Sequence, residues 1–267
     1  MKILGNCIYT GYLNTSEPMI HCDLTDTDSA NSFLKKTKPK IIIHTVAITD
    51  VDACQRDASL AYKVNVNSTK NITQWILNYS PETYFIFISS DQVYSGEGPH
   101  NEKNAHPLNI YALTKLHAED ISLSVSNSLV LRTNFFSPSK NKGLVKWIVD
   151  SVNNGYKIKL FDDVWFNPLY VEDLADLIIL VCEKQLTGVY NIGANDSISK
   201  GSFVRSVVEY LGLSRAIMTN SSVHDVVLDA PRPNDMRMCV DKLSSKLNII
   251  LPSIEEGLGR LSIEYRR

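Results

Sequence analysis

Along the chain, short blocks of continuous apolar residues alternate with longer blocks in which apolar positions recur every three to four residues. Phe85-Ile86-Phe87-Ile88 is a block of the first kind, and it ends abruptly in Ser89-Ser90-Asp91. It reads as a buried strand delivering hydroxyls and a carboxylate at its carboxyl end. Lys2-Ile3-Leu4, residues 39–47, Leu129-Val130-Leu131-Arg132-Thr133 and residues 188–192 read as further strands, that over 39–47 as a buried parallel one. Blocks of the second kind predict helices. One carries Ala61, Val64, Ile72, Ile76 and Leu77 over about 59–78. A second carries Ile110, Leu113, Leu116 and Ile121 after Pro107 and Asn109. Others run over 144–153, to about 183, and from Ser199 to Gly212, while Asp26 or Thr27 caps a helix carrying Ala30, Phe33 and Leu34. Strands that end in polar loops and alternate with helices predict an α/β fold with a Rossmann-like, doubly wound parallel sheet.

Composition narrows the class. The chain has 267 residues, 44% of them hydrophobic, enough for one large α/β unit or two joined lobes. A net charge of −2 argues against a nucleic-acid surface. No apolar run approaches a membrane span, and the amino terminus lacks the long apolar region of a signal peptide, so a cytoplasmic location is expected. Five scattered cysteines without a CxxC pair fit reduced thiols, and no metal-ligand constellation is present in the sequence.

The candidate chemistry lies after the Phe85–Ile88 block. Tyr111 and Lys115 are four residues apart on a predicted helix and share one face. A nearby ammonium favours the phenolate, so Tyr111 can exchange a proton near neutral pH. Ser90 can hold the same substrate oxygen, and together the three polarise a carbonyl for hydride attack.

Ser89-Ser90-Asp91-Gln92-Val93-Tyr94 followed by Tyr111-Ala112-Leu113-Thr114-Lys115-Leu116-His117-Ala118-Glu119 resembles the extended short-chain dehydrogenase/reductases, most closely the dTDP-4-dehydrorhamnose reductase branch. The resemblance implies that Tyr111 is the proton donor, that Lys115 lowers its pKa and holds the nicotinamide ribose, and that Ser90 assists. It implies NADPH or NADH as cofactor, with Gly5, Gly11, Asp23, Leu24, Ala47, Ile48 and Thr49 joining Tyr111 and Lys115 in binding it. It implies a nucleotide-sugar substrate held by Ser90, Asp91, Thr133, Phe135 and Arg232; a guanidinium at Arg232 suits a diphosphate. Asn65 in Val64-Asn65-Val66 matches a family residue that supports the active-site strand.

Two departures stand out. The family's GxxGxxG loop reads Gly5-Asn6-Cys7-Ile8-Tyr9-Thr10-Gly11 here, with Ile8 in place of the middle glycine. Only residues 12–22 separate Gly11 from Asp23, too few for a full helix and strand, so the first βαβ unit is shortened. The expected organisation is a dinucleotide-binding part over 1–160 and a smaller, mainly substrate-binding part over 161–267, with 171–190 returning to the core. The expected activity is NAD(P)H-dependent reduction of a nucleotide-linked 4-keto-6-deoxy sugar in deoxysugar and polysaccharide biosynthesis, with a homodimer as an open expectation. Two alternatives stand beside it: another nucleotide-sugar epimerase or dehydratase of the superfamily, and a non-catalytic regulatory protein with a degraded phosphate loop.

Overall fold

Strands and helices alternate along the chain as its apolar blocks predict. The computed structural model describes residues 10–11, 20–138, 143–213 and 216–266. In order these form β1 (Thr10–Gly11), β2 (Ile20–His21), α1 (Thr27–Thr37), β3 (Ile41–His44), α2 (Val51–Arg56), α3 (Ala58–Tyr62), α4 (Ser68–Tyr79), β4 (Tyr84–Ser90), α5 (Ile110–Ser122), β5 (Ser128–Thr133) and β6 (Phe135–Phe136). Then follow α6 (Leu144–Asn153), β7 (Lys157–Phe161), β8 (Trp165–Phe166), β9 (Leu169–Tyr170), α7 (Val171–Lys184), β10 (Gly188–Ile192), β11 (Ile198–Ser199), α8 (Lys200–Tyr210), β12 (Ile217–Ser221), α9 (Asp241–Leu247) and α10 (Ile254–Tyr265). The strand expected over Lys2-Ile3-Leu4 lies outside the described residues.

The central sheet has the order β10-β5-β4-β3, and β3 runs parallel to β4 with Ile41 opposite Tyr84 and His44 opposite Phe87. This is the Rossmann-like α/β architecture. Every residue of β5 is buried, and so is every residue of β4 except Ile88, which is half-buried. The strand expected to be buried over 39–47 departs from this. Ile41 and Ile43 are 37% and 39% exposed. β3 is the last strand of the described sheet, and these two side chains lie on one of its faces.

The chain divides into two compact units. The first comprises Met1–Ser89, Asn109–Leu131 and Ile179–Val189. Its core gathers Leu24, Ala30 and Leu34 with Ile72, Trp75, Ile76, Phe85, Phe87 and Val130. Short polar side chains set its helix starts: Asp26 accepts from Ser29 N at 2.7 Å, and Asn109 accepts from Ala112 N at 2.9 Å. The second unit comprises Ser90–Leu108, Arg132–Ile178 and Tyr190–Arg267. A buried polar network fixes it internally. Arg132 Nη1 donates to Tyr94 Oη at 2.9 Å, Tyr94 Oη donates to Asn191 Oδ1 at 2.6 Å, and Asn191 Nδ2 donates to the His100 carbonyl at 2.9 Å. Ser199 caps α8 as expected, accepting from Ser202 N at 3.1 Å.

The single helix expected over 59–78 is interrupted. Between α3 and α4 the backbone widens into a π-helical turn, Lys63–Asn67. Asn65 sits inside it, 1% exposed. Its Oδ1 accepts from Ile48 N at 2.7 Å, and its Nδ2 donates to Ile48 O at 3.2 Å and to Thr114 Oγ1 at 3.0 Å. Asn65 thus ties the segment after β3 to α5, and its anchorage is on Ile48 and Thr114, not on the strand β4. Replacing it with alanine removes both bonds to the half-buried Ile48 backbone, while Thr114 Oγ1 keeps its donation to the Tyr111 carbonyl at 2.7 Å. Asn65→Ala should cost about 1–3 kcal/mol of unfolding free energy in urea denaturation. An unchanged midpoint would mean that the three bonds carry no net stability.

Candidate active site

In the first unit, α5 buries an unusual stripe. Tyr111, Lys115 and Glu119 follow at spacing four and are 7%, 3% and 1% exposed. A helix normally turns apolar residues to the core at that spacing. Here it turns a phenol, an amine and a carboxyl inward. Tyr111 packs with Cys54 and Ala61, against Ile48, Val51 and Ile110. Lys115 Nζ donates to the Ile88 carbonyl at 2.7 Å and stands 4.2 Å from the centre of the Phe87 ring. Burial pushes the Lys115 ammonium down to about 7, against the opposing pull of Glu119. Ser89 Oγ donates to the Glu119 carboxylate. His44, at the end of β3, is pushed down to about 3 by burial first and by Lys115 second, so it is a neutral imidazole. Ser68 Oγ lies 3.3 Å from its Nε2.

The remaining first-unit residues implied for cofactor binding fall around the same strands. Ala47 and Ile48 are half-buried and Thr49 is exposed, in the segment that Asn65 pins. Asp23 spends its carboxylate on Thr25, accepting from its N at 2.8 Å and its Oγ1 at 2.7 Å. Leu24 is packed in the core cluster. Gly11 is placed in β1, paired in parallel with β2, where a loop opening a helix was expected. Gly5 and Ile8 lie outside the described residues. The residues present therefore fit the nicotinamide-ribose end of a dinucleotide best. There, a buried cation and a phenol share one helix face beside a pinned backbone segment. A cavity of about 790 Å³ opens at the opposite, amino-terminal ends of β3 and β4, lined by Lys35, Lys38, Trp75 and Tyr79, and holds none of these residues.

The second unit holds the residues implied for substrate. Ser90 ends β4, two residues beyond Ile88, and its Oγ accepts from Gln92 N at 3.2 Å. Asp91 is 1% exposed. It accepts from Asn134 Nδ2 at 2.6 Å and from Ser90 Oγ at 3.2 Å. Burial pushes the Asp91 carboxyl up to about 6, with Asn134 and then Lys200 opposing. Thr133 is buried, and its hydroxyl has no hydrogen-bond partner among the described residues. A buried hydroxyl in that state is suited to a ligand. Arg232 is half-buried and donates to the Ala230 carbonyl at 2.8 Å. Lys200 lies near Asp91 and Arg232, and burial lowers its pKa, with Asp91 opposing and Arg232 adding to the fall. Phe135 is 50% exposed.

Three of these neighbours escaped the sequence reading. Asn134 lies between Thr133 and Phe135, both implied for substrate, and had no role assigned to it. Lys200 had no periodic signal, since it is simply the first residue after a cap. Glu119 closed the quoted motif but had no role assigned to it.

Known proteins are similar to this chain over nearly its whole length. The family described as RmlD substrate binding domain matches residues 9–267, a span that leaves Gly5 outside. A probable low-salt glycan biosynthesis reductase, Agl14, of Haloferax volcanii is 23% identical over 275 residues, which cover 98% of this chain and 91% of that protein. A dTDP-4-dehydrorhamnose reductase of Aggregatibacter actinomycetemcomitans is 24% identical over 255 residues, 92% of this chain and 84% of that one. The crystal structure of dTDP-4-dehydrorhamnose reductase from Bacillus anthracis in complex with NADP is 26% identical, with a TM-score of 0.83 over 91% of this chain and 87% of that one. With the stripe on α5, the strand end at Ser90 and a family match over residues 9–267, the chain belongs to the RmlD substrate-binding-domain family of extended short-chain dehydrogenase/reductases.

Proposed function

We propose that this chain is an NAD(P)H-dependent reductase of a nucleotide-linked 4-keto-6-deoxy sugar, of the dTDP-4-dehydrorhamnose reductase kind. Its class is oxidoreductase. The observation that carries the reading is the pairing on α5 of a buried phenol with a buried amine one turn away, the amine held on the Ile88 carbonyl. The NADP bound by the Bacillus anthracis relative and the reductase names of the curated relatives support it.

The nicotinamide, when bound, supplies the hydride. Tyr111 gives its phenolic proton to the oxygen of the carbonyl that becomes an alkoxide. The Lys115 ammonium stabilises the phenolate left behind, which lowers the barrier to that proton transfer. Ser90 holds the same oxygen by a hydrogen bond. Ala47, Ile48 and Thr49 border the cofactor, with Asn65 holding Ile48 in place. Asp91 and Thr133 meet the sugar hydroxyls, Phe135 offers an apolar face, and Arg232 meets the diphosphate. The first unit serves mainly the cofactor and the second mainly the sugar nucleotide.

The reading is tested by following oxidation of NADPH and of NADH in the presence of a dTDP-linked 4-keto-6-deoxy sugar. Tyr111→Phe should slow turnover by roughly 10²-fold or more, with substrate affinity nearly unchanged. A wild-type rate in the variant would remove Tyr111 from the role of acid.

Asp91 provides a check on the substrate unit that needs no substrate. Its native carboxyl is raised from 3.8 to about 6, so the folded protein keeps the proton to higher pH than the unfolded chain does. Stability therefore falls as pH rises through that interval and stays lower above it. In unfolding free energies, Asp91→Asn should gain on the wild type by about 3 kcal/mol between roughly pH 4 and pH 7. A difference that does not vary with pH would contradict a raised Asp91.

A further inference from the structure

We propose that Glu119 is a positioning residue for the reductase site: its carboxylate, anchored by Ser89, is set one helical turn from Lys115 so that it supports the charge of that ammonium. The inference rests on the proposed function above for its consequence in turnover, though not for its structural content.

The geometry has two ties between the end of β4 and the buried stripe of α5. The Ile88 carbonyl accepts from Lys115 Nζ at 2.7 Å, and the next residue, Ser89, donates its hydroxyl to Glu119. One strand residue thus fixes the amine and its neighbour fixes the carboxyl. Lys115 and Glu119 are themselves at the spacing where side chains on a helix meet. Both are almost fully buried, 3% and 1% exposed. Removing a buried ammonium from water is costly, and such a group gives up its proton unless a negative partner is near. Of the titratable groups that face Lys115, Tyr111 on α5 is a phenol and His44 on β3 is a neutral imidazole. Glu119 is the acid among them, and it is the group that works against the effect of burial on Lys115. The Phe87 ring adds a weaker attraction at 4.2 Å.

The role matters because only the protonated amine can stabilise the Tyr111 phenolate. A lysine whose native pKa is lowered loses its charge as pH rises through that value. Without Glu119 the loss comes at lower pH, and less of the amine is charged at any pH in that interval. Glu119 need not touch the substrate to have this effect.

The test is a titration of Lys115 in the ligand-free protein, read by NMR of 13Cε-labelled lysine, with Lys115→Arg identifying the resonance. The wild type should titrate near 7. Glu119→Gln, nearly isosteric, should move the midpoint down by about one pH unit or more, and Glu119→Asp should fall between. In turnover, the alkaline fall of kcat should shift to lower pH in Glu119→Gln, with KM changed less than kcat. A folded Glu119→Gln protein with the wild-type Lys115 midpoint overturns the proposal. Should that variant not fold, Ser89→Ala decides: a lowered midpoint supports the role, and an unchanged one refutes it. Absence of reductase activity in the wild type would sink the proposed function, while the Lys115 midpoints would still judge Glu119.

Discussion

A charged amine taken out of water is the constraint around which the first unit is arranged. Lys115 is held by the Ile88 carbonyl, faced by the Phe87 ring and balanced by an acid one turn on. None of these is separable from the fold. Ile88 lies one residue beyond the last β3–β4 pair, His44 opposite Phe87, and gives its carbonyl to Lys115, while Phe87 is fully buried on the same strand. α5 starts where it does because Asn109 caps it, and that start sets which residues form the inward stripe. Burying a lysine in this way lowers stability compared with an apolar residue of the same size.

The second unit solves a related problem with different groups. Asp91 is buried, accepts from Asn134 and Ser90, and lies near Lys200. Lys200 in turn feels both that acid and Arg232. The Thr133 hydroxyl is buried and has no hydrogen-bond partner among the described residues. Arg132, one residue earlier, faces the opposite way along β5 and is committed to Tyr94 and the Glu102 carbonyl.

Much of this was legible from residue order, for identifiable reasons. Tyr111 and Lys115 could be read together because helix spacing puts them on one face, and Asn109 gave the start. Asp26 and Ser199 announced helix starts through the same capping chemistry. Apolar run length revealed β4 and β5, since strands buried on both faces lack alternation. What was not legible depended on tertiary contact. The π-helical turn around Asn65 exists where that side chain meets Ile48 and Thr114, 17 and 49 residues away in sequence. Periodicity encodes neither the place of β3 at the end of the described sheet nor the exposure of Ile41 and Ile43. Lys200 and Asp91 are neighbours through folding alone.

The central claim is that the chain's own groups complete a hydride transfer to a keto sugar, and isotope tracing addresses it most directly. The wild type would be incubated with NADPH deuterated at the transferable position and a dTDP-linked 4-keto-6-deoxy sugar, and the product examined by NMR. The account predicts deuterium bound to C4 of the product sugar in step with cofactor oxidised, and loss of both in Lys115→Met. A product lacking deuterium at C4, or cofactor oxidised without product, would contradict it.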